Sequence, residues 1–314
     1  MSFSMFLVSF LTLVELNCEN LFDCRHDSLK NDVEFTPDGS RRWTERKYWN
    51  KLNNISKTII SCGDGEDEWR LPDIVALCEV ENDSVMRDLT KRSMLRKANY
   101  EYIVTCSPDV RGIDVALMYS PGRFLPINHY PLRVRPLDGM RPTRDILYVS
   151  GCVPTGDTLH LFVVHAPSRY GGEKVTRAHR AQVAERLCTA IDSLRSVCRQ
   201  PNIIVTGDFN DYADSPSLTR LCDKGMKNIS AYAKGGNGAG GTYKYKGEWK
   251  SVDHILISGR FEDRLMSCVV HDAAFLLEQD ERYGGVQPYR TFRAWKYRNA
   301  YSDHLPLVAR FILR

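Results

Sequence analysis

The 314-residue sequence predicts an α/β layered fold. Short apolar, β-rich runs recur along the chain, and segments with apolar residues at helical spacing lie between them. Several of the runs are apolar almost throughout, which suits strands covered on both faces.

The strand-like runs are LTLVELN (11–17), DIVALCEV (73–80), IDVALMY (113–119), DILYVSG (145–151), LHLFVVHA (159–166), NIIVTGD (202–208), VDHILIS (252–258) and HLPLVARFIL (304–313). Most are bounded by polar, Gly or Pro residues, as strands are. Tyr48, Leu52, Ile55 and Ile59 mark one face of a first helix, with Thr44 as its cap and Glu45 in its first turn. Asp83 is the expected cap of a second helix carrying Met86 and Leu89. A third runs from about 173 to 197, striped by Val183, Leu187, Ala190, Ile191 and Leu194. No linker divides the chain, so residues 1–314 read as a single domain. The stretch GGNGAGG (235–241) reads as a loop, because it lacks the Gly-Lys-Ser/Thr ending of a phosphate-cradling P-loop.

Net charge is +4 and the sequence pI about 8.5, which is compatible with a polyanionic substrate but does not select one. No apolar run is long enough to span a membrane. The ten cysteines show no CxxC pair and no zinc spacing, so a reduced, structural reading and a reducing compartment follow. Residues 3–14 are apolar, yet no Lys or Arg precedes them and no small-residue cleavage site follows. A cytoplasmic monomer is expected, with export as the alternative if the start is a truncated or unusual leader.

The chemistry is signalled by where polar residues sit. Apolar strands carry an acid, amide or His at or just beyond an end: Asn17, Glu79, His165, Asp208 with Asn210, and Asp303 with His304. Asp253 and His254 open another. A carboxylate at such a position is costly unless paired or coordinated, and strand ends sharing one rim are the usual place for an α/β active site. Carboxylates, amides and histidines without a candidate cysteine nucleophile suit a hard, oxygen-liganded cation such as Mg²⁺ or Mn²⁺. The absence of a G-x-S-x-G elbow disfavours a serine hydrolase, and the absence of a glycine loop of either type disfavours a kinase.

The series LNCENLFD (16–23), ALCEVEN (76–82), RGIDVALMY (111–119), VVHAPSR (163–169), GDFND (207–211), SVDHILIS (251–258) and SDHLPL (302–307) resembles the ordered motifs of the endonuclease/exonuclease/phosphatase superfamily. The resemblance implies a four-layer α-β-β-α sandwich with two facing mixed β-sheets. It implies that Glu79 is the principal metal ligand, with Asn17 and Asp303 beside it and Glu81 as a weaker candidate. Asp208 would orient or deprotonate the attacking water, and Asn210 would hold the phosphate. His304, oriented by Asp253, would contact the phosphate. His165 would stabilise developing charge or serve the leaving oxygen, and Asp145 is the candidate for the carboxylate partner that such a histidine has in deoxyribonuclease-like members.

Other residues are weighed individually. His254 reads as structural, and His26, His129, His160, His179 and His271 match no motif position. Arg133, Arg135, Arg141 and Arg144 read as a solvated loop. Arg169, just beyond His165, is a candidate substrate contact, as are Tyr243 and Trp249 in the aromatic, lysine-rich TYKYKGEW loop. GDFND and SVDHI depart from the inositol 5-phosphatase forms, and Trp249 stands four residues before Asp253, unlike the lesion-reading tryptophan of abasic-site enzymes. A nuclease acting on nucleic acid is therefore expected. A phosphodiesterase or phosphatase of small or lipid phosphoesters is the second reading, and a catalytically inactive binding module the third.

Overall fold

The computed structural model describes residues 9–63 and 69–313. Part of the apolar stretch read at the N-terminus, residues 3–8, lies outside the described residues. In chain order the elements are β1 (Ser9–Leu21), α1 (Glu45–Ser61), β2 (Ile74–Val80), α2 (Asp83–Lys91), β3 (Glu101–Val104), β4 (Asp114–Tyr119), β5 (Leu125–Leu132), β6 (Ile146–Cys152) and β7 (Thr158–His165). Next come α3 (Glu173–Val197), β8 (Asn202–Asp208), α4 (Pro216–Asp223), β9 (Lys227–Asn228), β10 (Tyr243–Tyr245) hairpinned to β11 (Glu248–Lys250), and β12 (Asp253–Ser258). The chain continues through β13 (Leu265–Val270), the hairpin of β14 (Leu277–Gln279) and β15 (Val286–Pro288), the hairpin of β16 (Phe292–Arg293) and β17 (Lys296–Tyr297), and β18 (Leu307–Leu313).

Two six-stranded sheets result, ordered β13-β18-β1-β2-β4-β3 and β5-β6-β7-β8-β12-β9. Each has one parallel pair at its centre, β1 with β2 and β7 with β8, and antiparallel neighbours around it. Parallel strands need a crossover, and α1 and α3 supply the two. The faces turned toward each other share one core, built from Leu11, Leu13, Ile74 and Ala76 on one sheet and Val149, Leu161, Val163 and Ile204 on the other. Alternate residues face outward onto helices: Val14, Leu16 and Val75 meet Leu52, Ile55 and Leu89, while Phe162, Val164 and Val205 meet Val183, Leu187 and Leu221. Each such aliphatic side chain, fully buried, contributes roughly 1.5–3 kcal/mol. The layering is therefore helix, sheet, sheet, helix, as the resemblance implied.

Local differences have physical causes. The second helix is capped by Asn82 rather than Asp83: its Oδ1 accepts from Val85 N at 3.0 Å. Thr44 occupies the expected cap position of α1 but its side chain makes no capping bond. β5, whose LPINHYPL carries two prolines, has no strand-like pattern; it forms a sheet edge, where a missing N–H costs nothing. β3, β13 and α4, which are short or start at a proline, likewise carry no clear pattern.

Candidate active site

The carboxyl ends of the two central parallel pairs lie at the same end of the sandwich, and they carry Asn17, Glu79, His165 and Asp208. Ligand crevices form outside such strand ends. The local backbone departs from regular geometry there. Glu79 and Asn210 have φ of 60° and 50°, a left-handed conformation uncommon for residues with a Cβ, and the ladder slips beside Glu79. Gly207 has φ 138°, and a Cβ on it would stand 1.9 Å from Val164 O. Glycine thus lets β8 close on β7 one residue before Asp208, which pairs directly with His165.

Polar contacts then join the sheets. Asn17 Nδ2 donates to Asp208 Oδ2 at 3.0 Å, and Asp208 Oδ1 accepts from Asn210 N at 2.8 Å. Asn210 Nδ2 lies 3.2 Å from Asp208 Oδ2 and donates to Ala166 O at 3.1 Å. His165 Nε2 stands 3.6 Å from Asp208 Oδ2 and 3.8 Å from Glu79 Oε1, close to both but beyond ordinary hydrogen-bond length. Glu79 Oε2 accepts from Asn20 N at 2.8 Å, and Arg111 Nη1 approaches its Oε1 at 3.8 Å.

On the neighbouring strand, Asp253 pairs in register with Asp208 and is fully buried. Its Oδ2 and Oδ1 lie 2.8 and 3.1 Å from His304 Nδ1, which fixes that nitrogen as the proton donor. One ligand atom from each of Asp208, Asp253 and His304 falls within 4.8 Å of the others. Asp303 forms an ion pair with Arg290 Nη2 at 2.9 Å, so Arg290 competes with any cation for it. Tyr243 bridges to the His304 backbone, and its ring centroid is 5.0 Å from the imidazole.

The electrostatics follow from burial and crowding. Burial, then the Asp253 charge, push the Asp208 carboxyl up to about 7. Burial opposes charge on His304, but the carboxylates of Asp253, Asp208 and Asp303 outweigh it and hold the imidazole well above the usual histidine value. His165 goes the other way: burial, then the Arg144 and Arg111 charges, hold it well below that value. Beneath them, Glu15 is fully buried, and neither of its oxygens has a hydrogen-bond partner among the described residues. Burial and the nearby Asp253 and Asp208 raise its carboxyl well above the usual range. So many buried carboxylates at one rim, with Glu15 short of donors beneath them, make a donor set suited to a hard cation.

Several sequence expectations need correction. Asp145 does not partner His165: it pairs with Arg133 Nε at 3.0 Å, and His165 Nδ1 has no hydrogen-bond partner among the described residues. Arg144 is not a solvated loop residue. It is buried, paired with Asp109 at 3.0 Å, and donates to the carbonyls of His165 and Ala166, fixing the strand end that carries the histidine. Trp249 is partly buried and packs against the inter-sheet core, so it is a wall support rather than an open face. Arg169 pairs with Glu173 at 2.6 Å and lies 4.3 Å over the Tyr212 ring. His254 needs no correction: it is structural as expected, with Nε2 donating to Asp211 O at 3.0 Å. Glu81 is buried and accepts from Asp23 N at 2.6 Å.

Residues that the sequence reading did not single out also shape the rim. Glu19 is buried, accepts from Thr291 N at 2.7 Å, and sits 4.0 Å from the buried Lys51 ammonium and 3.5 Å from Arg290. Asp211, the last residue of GDFND, pairs with the buried Arg180 at 2.8 Å and accepts from Ser217 Oγ at 2.6 Å. It thereby anchors the loop after Asp208 to α3 and α4.

Comparison with known proteins agrees with this architecture. A family model described as "Endonuclease/Exonuclease/phosphatase family" matches residues 12–312. No curated protein matches the sequence. Among solved structures, an endonuclease/exonuclease/phosphatase family protein from Bacteroides thetaiotaomicron aligns with TM-score 0.65 at 17% identity, covering 98% of this chain and 99% of that one. The mannosyl-6-phosphatase of the same organism aligns with TM-score 0.63 at 18% identity, over 97% and 100%. Truncated Caenorhabditis elegans TDP2 aligns with TM-score 0.59 at 16% identity, over 97% and 98%. At these identities the likeness is one of fold. The family match extends over nearly the whole sequence, and the chain belongs to the endonuclease/exonuclease/phosphatase family of phosphoester hydrolases.

Proposed function

We propose that the chain is a divalent-metal-dependent nuclease that hydrolyses phosphodiester bonds by in-line attack of water. The observation that carries this reading is Asp208: it is bonded to Asn17 across the sheets, close to His165, and grouped with the Asp253–His304 pair. Glu79, with Asn17 and Asp303 beside it, would hold the cation, Mg²⁺ or Mn²⁺, which would supply Lewis-acid stabilisation of charge on the phosphate and the leaving oxygen. His304 Nδ1 is fully engaged by Asp253, so this pair is better suited to contacting phosphate than to ligating metal.

The residues divide the remaining work. Asp208, held by Asn17 and Asn210, orients a water and takes its proton. His304 presents its free ring edge to a phosphate oxygen, its charge sustained by Asp253. Asn210, whose amide is shared between Asp208 and Ala166 O, would turn one hydrogen to the phosphate when substrate binds, and His165, buried with its charge disfavoured, would hydrogen-bond the leaving oxygen. Arg169 and Tyr243 line the approach.

A second reading, a phosphatase of small phosphoesters, is favoured by the shared fold of the Bacteroides mannosyl-6-phosphatase. The test is turnover of single- and double-stranded oligonucleotides, bis-p-nitrophenyl phosphate and sugar phosphates, each with Mg²⁺, Mn²⁺ or EDTA. Metal-dependent cleavage of oligonucleotides is expected. Turnover confined to phosphomonoesters selects the second reading, and a folded protein that turns over none of these is a binding module.

A further inference from the structure

Two segments of the rim alternate basic and aromatic residues: RRWTERK (41–47) and YRTFRAWKYR (289–298). Together they hold eight Lys or Arg and one acid, Glu45. They pack on each other. The Arg41 guanidinium lies 4.6 Å from the Phe292 ring and 5.0 Å from the Trp295 ring, and donates to Ala294 O at 3.1 Å. Lys47 lies 4.8 Å over Tyr297. Trp295 is 72% exposed, so one face of the indole is backed by a cation and the other is open. Arg42, Arg46, Arg293 and Lys296 are exposed, and none has an ion-pair partner among the described residues.

The root of this ridge is fastened to the candidate active site. Thr291 N and Phe292 N donate to Glu19 at 2.7 and 3.3 Å, and Arg290 holds Asp303. Trp295 lies in the two-residue turn of the β16–β17 hairpin, about two residues or roughly 7 Å of strand beyond the anchored Phe292. We infer that the ridge is a track for a single strand of nucleic acid, with a base flanking the scissile phosphate stacked on Trp295 and neighbouring phosphates met by Arg42, Arg46, Arg293 and Lys296. Four uncommitted cations suit a polyanion. A large open aromatic face backed by a guanidinium suits an unpaired base. A sugar phosphate, with one phosphate and no base, would leave both features idle.

The inference rests on the phosphodiesterase reading, and the experiment separates the two. Binding of a fluorescently labelled single-stranded oligonucleotide is followed by anisotropy in a Glu79→Gln background, which prevents turnover. Adding Trp295→Ala should weaken the Kd roughly 5- to 150-fold, the range for loss of one base stack. Adding Arg293→Ala with Lys296→Ala should flatten the slope of log Kd against log salt by about 1.4. A Kd within twofold of the parent for Trp295→Ala, absence of oligonucleotide binding, or competition by poly-glutamate at equal charge concentration would each overturn the inference. If the oligonucleotide binds with the expected losses but active protein cleaves none, the ridge stands and the nuclease reading falls. If oligonucleotides are cleaved at rates that Trp295→Ala leaves unchanged, the reverse holds.

Discussion

Replacing Asp253 with Asn tests the electrostatic core of the site. Asp253 is fully buried, and both its oxygens lie within 3.1 Å of His304 Nδ1. Two unit charges separated by 2.8 Å attract by about 6 kcal/mol at an effective dielectric of about 20. Burial of the imidazole opposes its charge and cancels part of that attraction. What remains is of the size that a positioned acid or base contributes, about 10²–10⁴-fold in rate, or about 3–5 kcal/mol. Asn keeps an oxygen that can accept from Nδ1, so the ring stays oriented while its charge is no longer sustained. The expected outcome is a fall in kcat of about 10²–10⁴-fold on bis-p-nitrophenyl phosphate, with thermal unfolding close to wild type. A kcat within about threefold of wild type in a folded variant would refute a role for charge on His304.

Further perturbations follow from the same structure. Glu15→Met replaces a buried carboxyl whose oxygens lack partners with an apolar chain of similar length, and should raise stability by about 1–3 kcal/mol in urea unfolding with EDTA; a less stable variant would mean that Glu15 is satisfied in the folded state. His271 is held below its usual value of 6.5 by burial and by Arg310, with Asp272 opposing. The unfolded chain therefore takes up a proton that the folded chain resists as pH falls below about 6.5, and stability is lost in that window. Against His271→Gln, the parent should lose urea stability between pH 7.5 and 5.5, and a gap that does not change with pH contradicts this sign. Gly207→Ala should cost several kcal/mol or prevent folding, because its Cβ would overlap Val164 O; wild-type stability would show that β7 and β8 can separate there.

Much of the site was legible because its residues interrupt apolar strands. Glu79, His165 and Asp208 each stand where a run of buried aliphatics ends, Asp253 where one begins, and Asn17 where the regular pairing of β1 with β2 breaks off. Which ends face each other is a matter of topology, and no local pattern encodes it. Asp145 precedes a strand as Asp253 opens one, yet its carboxyl meets Arg133, a pairing that no local pattern announces. Arg144, its neighbour, was hidden within a run of surface-like arginines and is buried against the backbone of His165. Glu15 was masked by the apolar residues around it, and only the packing of β1 against the second sheet shows it beneath Asp208 and Asp253. The Glu19, Lys51, Arg290 and Thr291 group joins residues up to 272 positions apart, and the separation leaves no periodic trace. The left-handed backbone at Glu79 was likewise invisible, since an ordinary strand residue was expected there.

The central claim, that acids from both sheets gather around one cation, is tested most directly by Mn²⁺ binding followed by electron paramagnetic resonance. Wild-type protein should show saturable Mn²⁺ uptake that competes with Mg²⁺. Glu79→Gln on the first sheet and Asp208→Asn on the second should each weaken it at least about tenfold, the scale of losing one ligating or supporting group. Uptake that survives both substitutions unchanged would contradict the account.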